Sequence, residues 1–219
     1  MKKHIVCFGD SNTHGYCADP ADCADHGERF NEDERWTCRL QRQLGEDYLV
    51  LEEGLSGRTT CFDDPVNECM SGLDVIFSTL MTHEPVDLLV IMLGTNDTKE
   101  RFAASPYIIA KGLDRLLDKA LTVPCWGANA PKILVVAPPW IGEGILQNDC
   151  VKGMGATCVE KSRGIAKEFK PFAEARGCWF MDAEGVAEFN HVDCMHLTAK
   201  GHARLANALE AKIREIFGA

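Results

Sequence analysis

The sequence predicts an α/β domain built around a parallel sheet, and two observations carry that prediction. Five short stretches, 5–8, 49–52, 88–93, 133–137 and 179–181, are mostly apolar rather than alternating, as strands covered on both faces are. Segments with helical spacing separate them, so strand and helix alternate in the pattern of right-handed βαβ crossovers. Ligands of such sheets bind beyond the carboxyl ends of the strands, which makes every strand end a place to look for chemistry.

Taken in order, the first strand runs into Gly9-Asp10-Ser11-Asn12-Thr13-His14-Gly15. Ser11 thus stands just past a strand end, although a serine there is by itself more often a turn or N-cap residue. The connection that follows, 12–34, is longer than a structural link needs. The second strand ends in Gly54-Leu55-Ser56-Gly57-Arg58-Thr59 and the third in Gly94-Thr95-Asn96-Asp97. Both turns can aim donors at an oxyanion, because glycine lets a backbone N–H approach closely and an Asn amide donates without charge. Ile109, Leu113, Leu116 and Leu117 then mark one face of a helix. After the fourth strand a second long connection, 138 to about 156, carries Pro138-Pro139-Trp140 and is placed to shape a pocket. Beyond the fifth strand come Asp193-Cys194-Met195-His196 and a last helix with Ala206, Leu209, Ile213 and Ile216 on one face, capped at Thr198.

A chain of 219 residues, 46% apolar and 26% charged, reads as one domain spanning 1–219. Roughly 70–75% of its unfolded surface can be buried, so stability needs neither disulfide nor structural metal. With 33 Asp+Glu against 23 Lys+Arg, the net charge of −10 repels nucleic acid and acidic lipid and suits a neutral small-molecule partner. The four apolar residues 5–8 are too few for a signal peptide, and no apolar run approaches the ~18 residues of a bilayer span. A cytoplasmic protein that does not enter membranes is expected. Eleven cysteines without a C-x-x-C pair fit reduced thiols better than a disulfide framework or zinc ribbon. His14, Cys17, Cys23 and His26 offer metal-ligand types, but the five residues between the cysteines are unlike a zinc knuckle, and no metal is expected.

A nucleophilic serine needs a base, and the base needs an acceptor to fix its tautomer; Ser11, His196 and Asp193 meet those roles. His191 is the closest rival base, but Glu188 rather than an Asp stands three residues before it. Tyr16, Trp36, Phe62, Phe102, Trp140 and Met195 lie near these motifs as candidate pocket walls, with Asn12 and Lys99 as candidate polar substrate contacts. Arg58 reads as a partner in a loop salt bridge, and Asp10 as a residue that steadies the turn around Ser11.

In this order and across the whole chain, Gly9-Asp10-Ser11, Gly57, Gly94-x-Asn96-Asp97 and Asp193-x-x-His196 resemble the blocks of the SGNH (GDSL) hydrolase family. The longer strings Cys7-Phe8-Gly9-Asp10-Ser11, Glu52-Glu53-Gly54-Leu55-Ser56 and Ile91-Met92-Leu93-Gly94-Thr95-Asn96-Asp97-Thr98 look closest to its compact intracellular arylesterase and acyltransferase branch, which includes carbohydrate acetylesterases. The resemblance implies a flavodoxin-like three-layer α/β/α domain with five parallel strands in the order 2-1-3-4-5. It implies Ser11 as nucleophile, His196 as base then acid, and Asp193 as the orienting carboxylate. The implied oxyanion hole is the Ser11 N–H, the Gly57 N–H and the Asn96 side chain. The activity implied is hydrolysis of short-chain, acetyl-type esters through an acyl-enzyme, with no cofactor or metal; the partner is a small-molecule ester. Acyl transfer to an alcohol, or thioester or lysophospholipid hydrolysis, would use the same triad. Members of the branch often form homo-oligomers, with the two long connections as candidate contacts. Outside enzymes, a flavodoxin-like phosphate-binding module could use the turn at Gly9, but Asp10 would repel the phosphate there and Asp193-x-x-His196 would have no purpose.

Overall fold

The computed structural model describes residues 1–218. Its strands β1 (Lys3–Gly9), β2 (Tyr48–Gly54), β3 (Leu88–Met92), β4 (Ile133–Ala137) and β5 (Trp179–Asp182) form one sheet in the order β2-β1-β3-β4-β5. Every pairing is parallel, as continuous apolar strands require. The helices are α1 (Ser11–His14), α2 (Trp36–Leu44), α3 (Gly72–Thr82), α4 (Pro106–Thr122), α5 (Val151–Met154), α6 (Cys158–Ala175) and α7 (Ala199–Phe217).

Successive strand residues point to opposite faces, and two cores result. Val6, Phe8, Leu89, Ile91 and Val135 pack with the apolar faces of α3, α4 and α6, including Ile109, Leu113, Leu116 and Leu117. Ile5, Cys7, Leu88, Val90, Leu134 and Val136 pack on the other side with α2 and α7, including Ala206, Leu209, Ile213 and Ile216. This is the three-layer α/β/α arrangement with the predicted strand order. The Thr198 hydroxyl caps α7 by accepting from the Gly201 N–H at 2.9 Å. The edge strands β2 and β5 depart from the prediction of cover on both faces: most of their residues are only half-buried, because a strand with a single neighbour has less of the sandwich over it.

Register brings the site together. Gly9 at the end of β1 pairs with Gly54 of β2 and Met92 of β3, so three adjacent strands finish level and their turns open on one edge. Of the two long connections, 12–34 begins as α1 and buries a small cluster of Cys17, Cys23 and Phe30. The four-residue metal-ligand grouping suggested by composition is not assembled there. Cys17 Sγ donates to the Asp19 carbonyl and the His26 ring meets the Pro20 carbonyl. The side chains that converge are Cys23, Asp25 and Glu34, with the Glu34 carboxylate accepting from the Ala24 and Asn31 N–H groups. The other connection folds into a 3-10 turn, Glu143–Gln147, and α5. All eleven cysteines are free. Among the described residues no helix is long and apolar enough to cross a membrane.

Candidate active site

Asp10 caps α1, accepting from the Asn12 N–H at 3.0 Å, so the chain turns into a helix at Ser11 as soon as β1 ends. That leaves the Ser11 N–H without a helical acceptor and directs its Oγ to His196 Nε2 at 2.8 Å. His196 Nδ1 lies 2.5 Å from Asp193 Oδ2. An ionised carboxylate can only accept, so Nδ1 carries the proton and Nε2 is left to accept from the serine. Burial pushes the Asp193 carboxyl up, but bonding to the His196 ring, the His196 N–H and Asn190 outweighs it and brings the value down to about 2. Asp193 is therefore a carboxylate throughout the neutral range.

The segment carrying this pair is tightly tied. Asp193 Oδ1 accepts from Asn190 Nδ2 at 2.9 Å and from the Met195 and His196 N–H groups at 3.0 Å. Asn190 Oδ1 in turn accepts from the Val192 and Asp193 N–H groups, and its Nδ2 also donates to the His196 carbonyl. Cys194, at the centre, holds a left-handed φ of 59°, a conformation that costs a non-glycine residue on the order of 1–3 kcal/mol and persists only where neighbours enforce it.

Opposite the triad, the Arg58 N–H bonds to the Leu55 carbonyl and closes a four-residue turn. Gly57 occupies its third position with φ 93°, the left-handed geometry that a type II turn reserves for glycine. The Asn96 side chain reaches across from the end of β3 and donates from Nδ2 to the Arg58 carbonyl at 3.1 Å, leaving its second amide hydrogen unspent. Asp97 ties the same two segments, accepting from the Thr60 N–H at 2.9 Å. Ser11, Gly57 and Asn96 then share the wall of an open cleft of about 240 Å³ with His196, Asp193, Tyr16, Ser56, Met195 and Cys150. Tyr16 stands edge-on to the His196 ring, 4.6 Å between centroids.

A model of the GDSL-like lipase/acylhydrolase family matches residues 7–204, which is most of the chain. The chain belongs to that family. Among solved structures, an aryl esterase from M. smegmatis is 38% identical over 97% of this chain and 99% of its own, with a TM-score of 0.85. A carbohydrate acetylesterase from Sinorhizobium meliloti is 34% identical over 98% of this chain and 100% of its own, with a TM-score of 0.86. A lipase/acylhydrolase from Enterococcus faecalis, at 18% identity over 97% of this chain and 96% of its own with a TM-score of 0.70, shares the fold. No curated protein matches. This GDSL-like protein is a carboxylic ester hydrolase.

Within the hydrolase, Tyr16 and Met195 reach the cleft as the sequence predicts, while three candidate substrate contacts do not. The Asn12 side chain is committed to the segment that carries Asp193 and His196, accepting from the Leu197 N–H at 3.0 Å and donating to the Met195 carbonyl. Lys99 turns away to Asp64, with Nζ 3.0 Å from Oδ2 in a buried pair that Arg101 also joins. Trp140 lies outside, 37% exposed, with Arg163 of α6 beside its ring. Trp36 is core, its indole N–H donating to the Asn12 carbonyl, and Phe62 and Phe102 stack on each other. Arg58 makes hydrogen bonds to carbonyls rather than the expected salt bridge. His191 is exposed, away from the cleft. Sequence reasoning missed Ser56 and Cys150; the first stands between Gly54 and Gly57, the second inside the long connection already marked as pocket-forming, so a signal existed for both.

Proposed function

We propose that this hydrolase is a serine esterase for short-chain, acetyl-type esters of aryl, alkyl or sugar alcohols. The observation that carries the reading is the continuous hydrogen-bonded line from Ser11 Oγ through His196 to Asp193. Ser11 Oγ attacks the ester carbonyl carbon while His196 Nε2 takes its proton. The tetrahedral oxyanion is held by the Ser11 and Gly57 N–H groups and the free Asn96 amide hydrogen. His196 then gives the proton to the departing alkoxide, and the acyl group remains on Ser11. Water, deprotonated by the same imidazole, releases the acid. Asp193 orients the ring and stabilises the imidazolium without taking the proton itself.

The size of the cleft supports a small acyl group, because about 240 Å³ falls below the usual range of roughly 300–1,000 Å³ for drug-sized ligands. The aryl and sugar alcohols follow from the similarity to an aryl esterase and a carbohydrate acetylesterase. Initial rates on p-nitrophenyl acetate, butyrate and octanoate test the reading. Acetate should be turned over fastest and octanoate slowest; octanoate as the preferred substrate would contradict it. Running the acetate reaction in a water–alcohol mixture and measuring acetate ester against free acetic acid separates acyl transfer from hydrolysis.

A further inference from the structure

Arg58 is a buried cation whose side-chain hydrogen bonds go to main-chain carbonyls. Its side chain donates from Nη1 to the Gly9 carbonyl at 3.0 Å and to the Glu53 carbonyl, the ends of β1 and β2. The guanidinium lies over the Phe8 ring, 4.2 Å from its centroid, and Nε is buried with no hydrogen-bond partner among the described residues. Removing a guanidinium from water without a paired carboxylate is costly, so its retention calls for a return elsewhere.

That return is visible in what the residue joins. Gly9 leads through Asp10 to Ser11, and its carbonyl also accepts from the Leu55 N–H, the first residue of the Gly57 turn, at 3.1 Å. Arg58 itself follows Gly57, and its own carbonyl is the acceptor for Asn96 Nδ2. One residue therefore touches, through main chain or side chain, the segments that carry all three oxyanion donors. We propose that Arg58 is the positioning residue of the oxyanion hole, fastening the ends of β1 and β2 and the Asn96 amide into one rigid set. The proposal rests on the assignment of Ser11, Gly57 and Asn96 as the donors. The planar fork matters as well as the charge: a lysine ammonium cannot lie flat on Phe8 while directing hydrogens at two carbonyls.

The test measures kcat and KM on p-nitrophenyl acetate, inhibition by phenylboronic acid and the thermal midpoint. It compares wild type with Arg58→Lys, Arg58→Met, Asn96→Ala and the Arg58→Lys/Asn96→Ala double variant. The boronate adduct of Ser11 places an oxygen in the hole, so its affinity reports on the donors apart from overall fold. Both Arg58 variants should lower kcat by about 30- to 300-fold and weaken phenylboronic acid comparably, with KM changed less than about threefold. In the Asn96→Ala background, adding Arg58→Lys should cost far less than it does alone, since residues acting as a unit are not additive. If Arg58→Met does not fold, Arg58→Lys decides. Intact kcat and boronate affinity in the folded Arg58 variants beside a crippled Asn96→Ala would overturn the proposal alone. Multiplicative effects in the double variant would do the same. An Asn96→Ala enzyme equal to wild type would overturn the donor assignment and this proposal with it.

Discussion

At the scale of single residues, the proposed chemistry depends on one imidazole that Asp193 orients through Nδ1, so that Nε2 faces Ser11. Asp193, held down to about 2 after its hydrogen bonds outweigh burial, stays ionised through the neutral range and keeps Nδ1 as the donor. Asn96→Ala should cost roughly 10²–10³ in kcat with KM little changed, as loss of one oxyanion donor does; steady-state kinetics checks it. Ser11, Gly57 and Asn96 were legible because each sits in a short motif just past a strand end, and Asp193 and His196 because they stand three residues apart in a short motif just before α7. Asn12, Lys99 and Trp140 were not, since nearness in sequence says nothing about where a side chain finds partners. Lys99 was taken by the buried Asp64 carboxylate and Asn12 by the backbone around His196.

At the scale of elements, the segment that carries Asp193 and His196 is shaped from outside by the connection after β4. Gly142 donates its N–H to the Cys194 carbonyl at 2.8 Å, and a Cβ on Gly142 would stand 2.6 Å from the Phe189 ring. Ile141, Ile145, Met154, Cys158 and Val159 bury with Cys194 in a small core of their own. Gly142→Ala should therefore push the 189–196 segment away, misaligning His196 and lowering kcat by about tenfold or more, since displacements near 1 Å at a reacting centre cost up to about 10². An unchanged kcat in that variant would show the connection to be passive. The strands and the faces of α4 and α7 were legible from spacing, because burial on the sheet sets that spacing. This satellite core was not: its residues come from a connection without periodicity, the first turn of α6 and a motif read for its chemistry, and only tertiary packing joins them.

At the scale of the whole molecule, the fold stores buried charge behind the site, and this makes stability depend on pH. Burial raises the carboxyls of Asp10 and Asp97 to about 6, against the pull of their hydrogen bonds. Around Asp10 stand His196, Arg58 and Thr95, and around Asp97 stand Thr60 and Asp10. Acids with raised values bind protons more tightly folded than unfolded, so their contribution is full below about pH 4 and is lost as the pH rises through about 6. The thermal midpoint of wild type minus that of Asp97→Asn should accordingly shrink between about pH 4 and 6.5; a constant difference would contradict this. Asp64 has the opposite sign: Lys99, Asn67 and the Val66 N–H overcome its burial and lower it to about 2, so its contribution is present above about pH 4 and lost below. The central proposal is that sheet, turns and the 189–196 segment together make the Ser11 hydroxyl a nucleophile, and reaction with diethyl p-nitrophenyl phosphate followed by peptide mapping tests it most directly. One diethylphosphoryl group on Ser11, with equimolar p-nitrophenol released and esterase activity lost, is the expected result. The label on Cys150 or any other cleft residue, or full activity in the labelled protein, would contradict it.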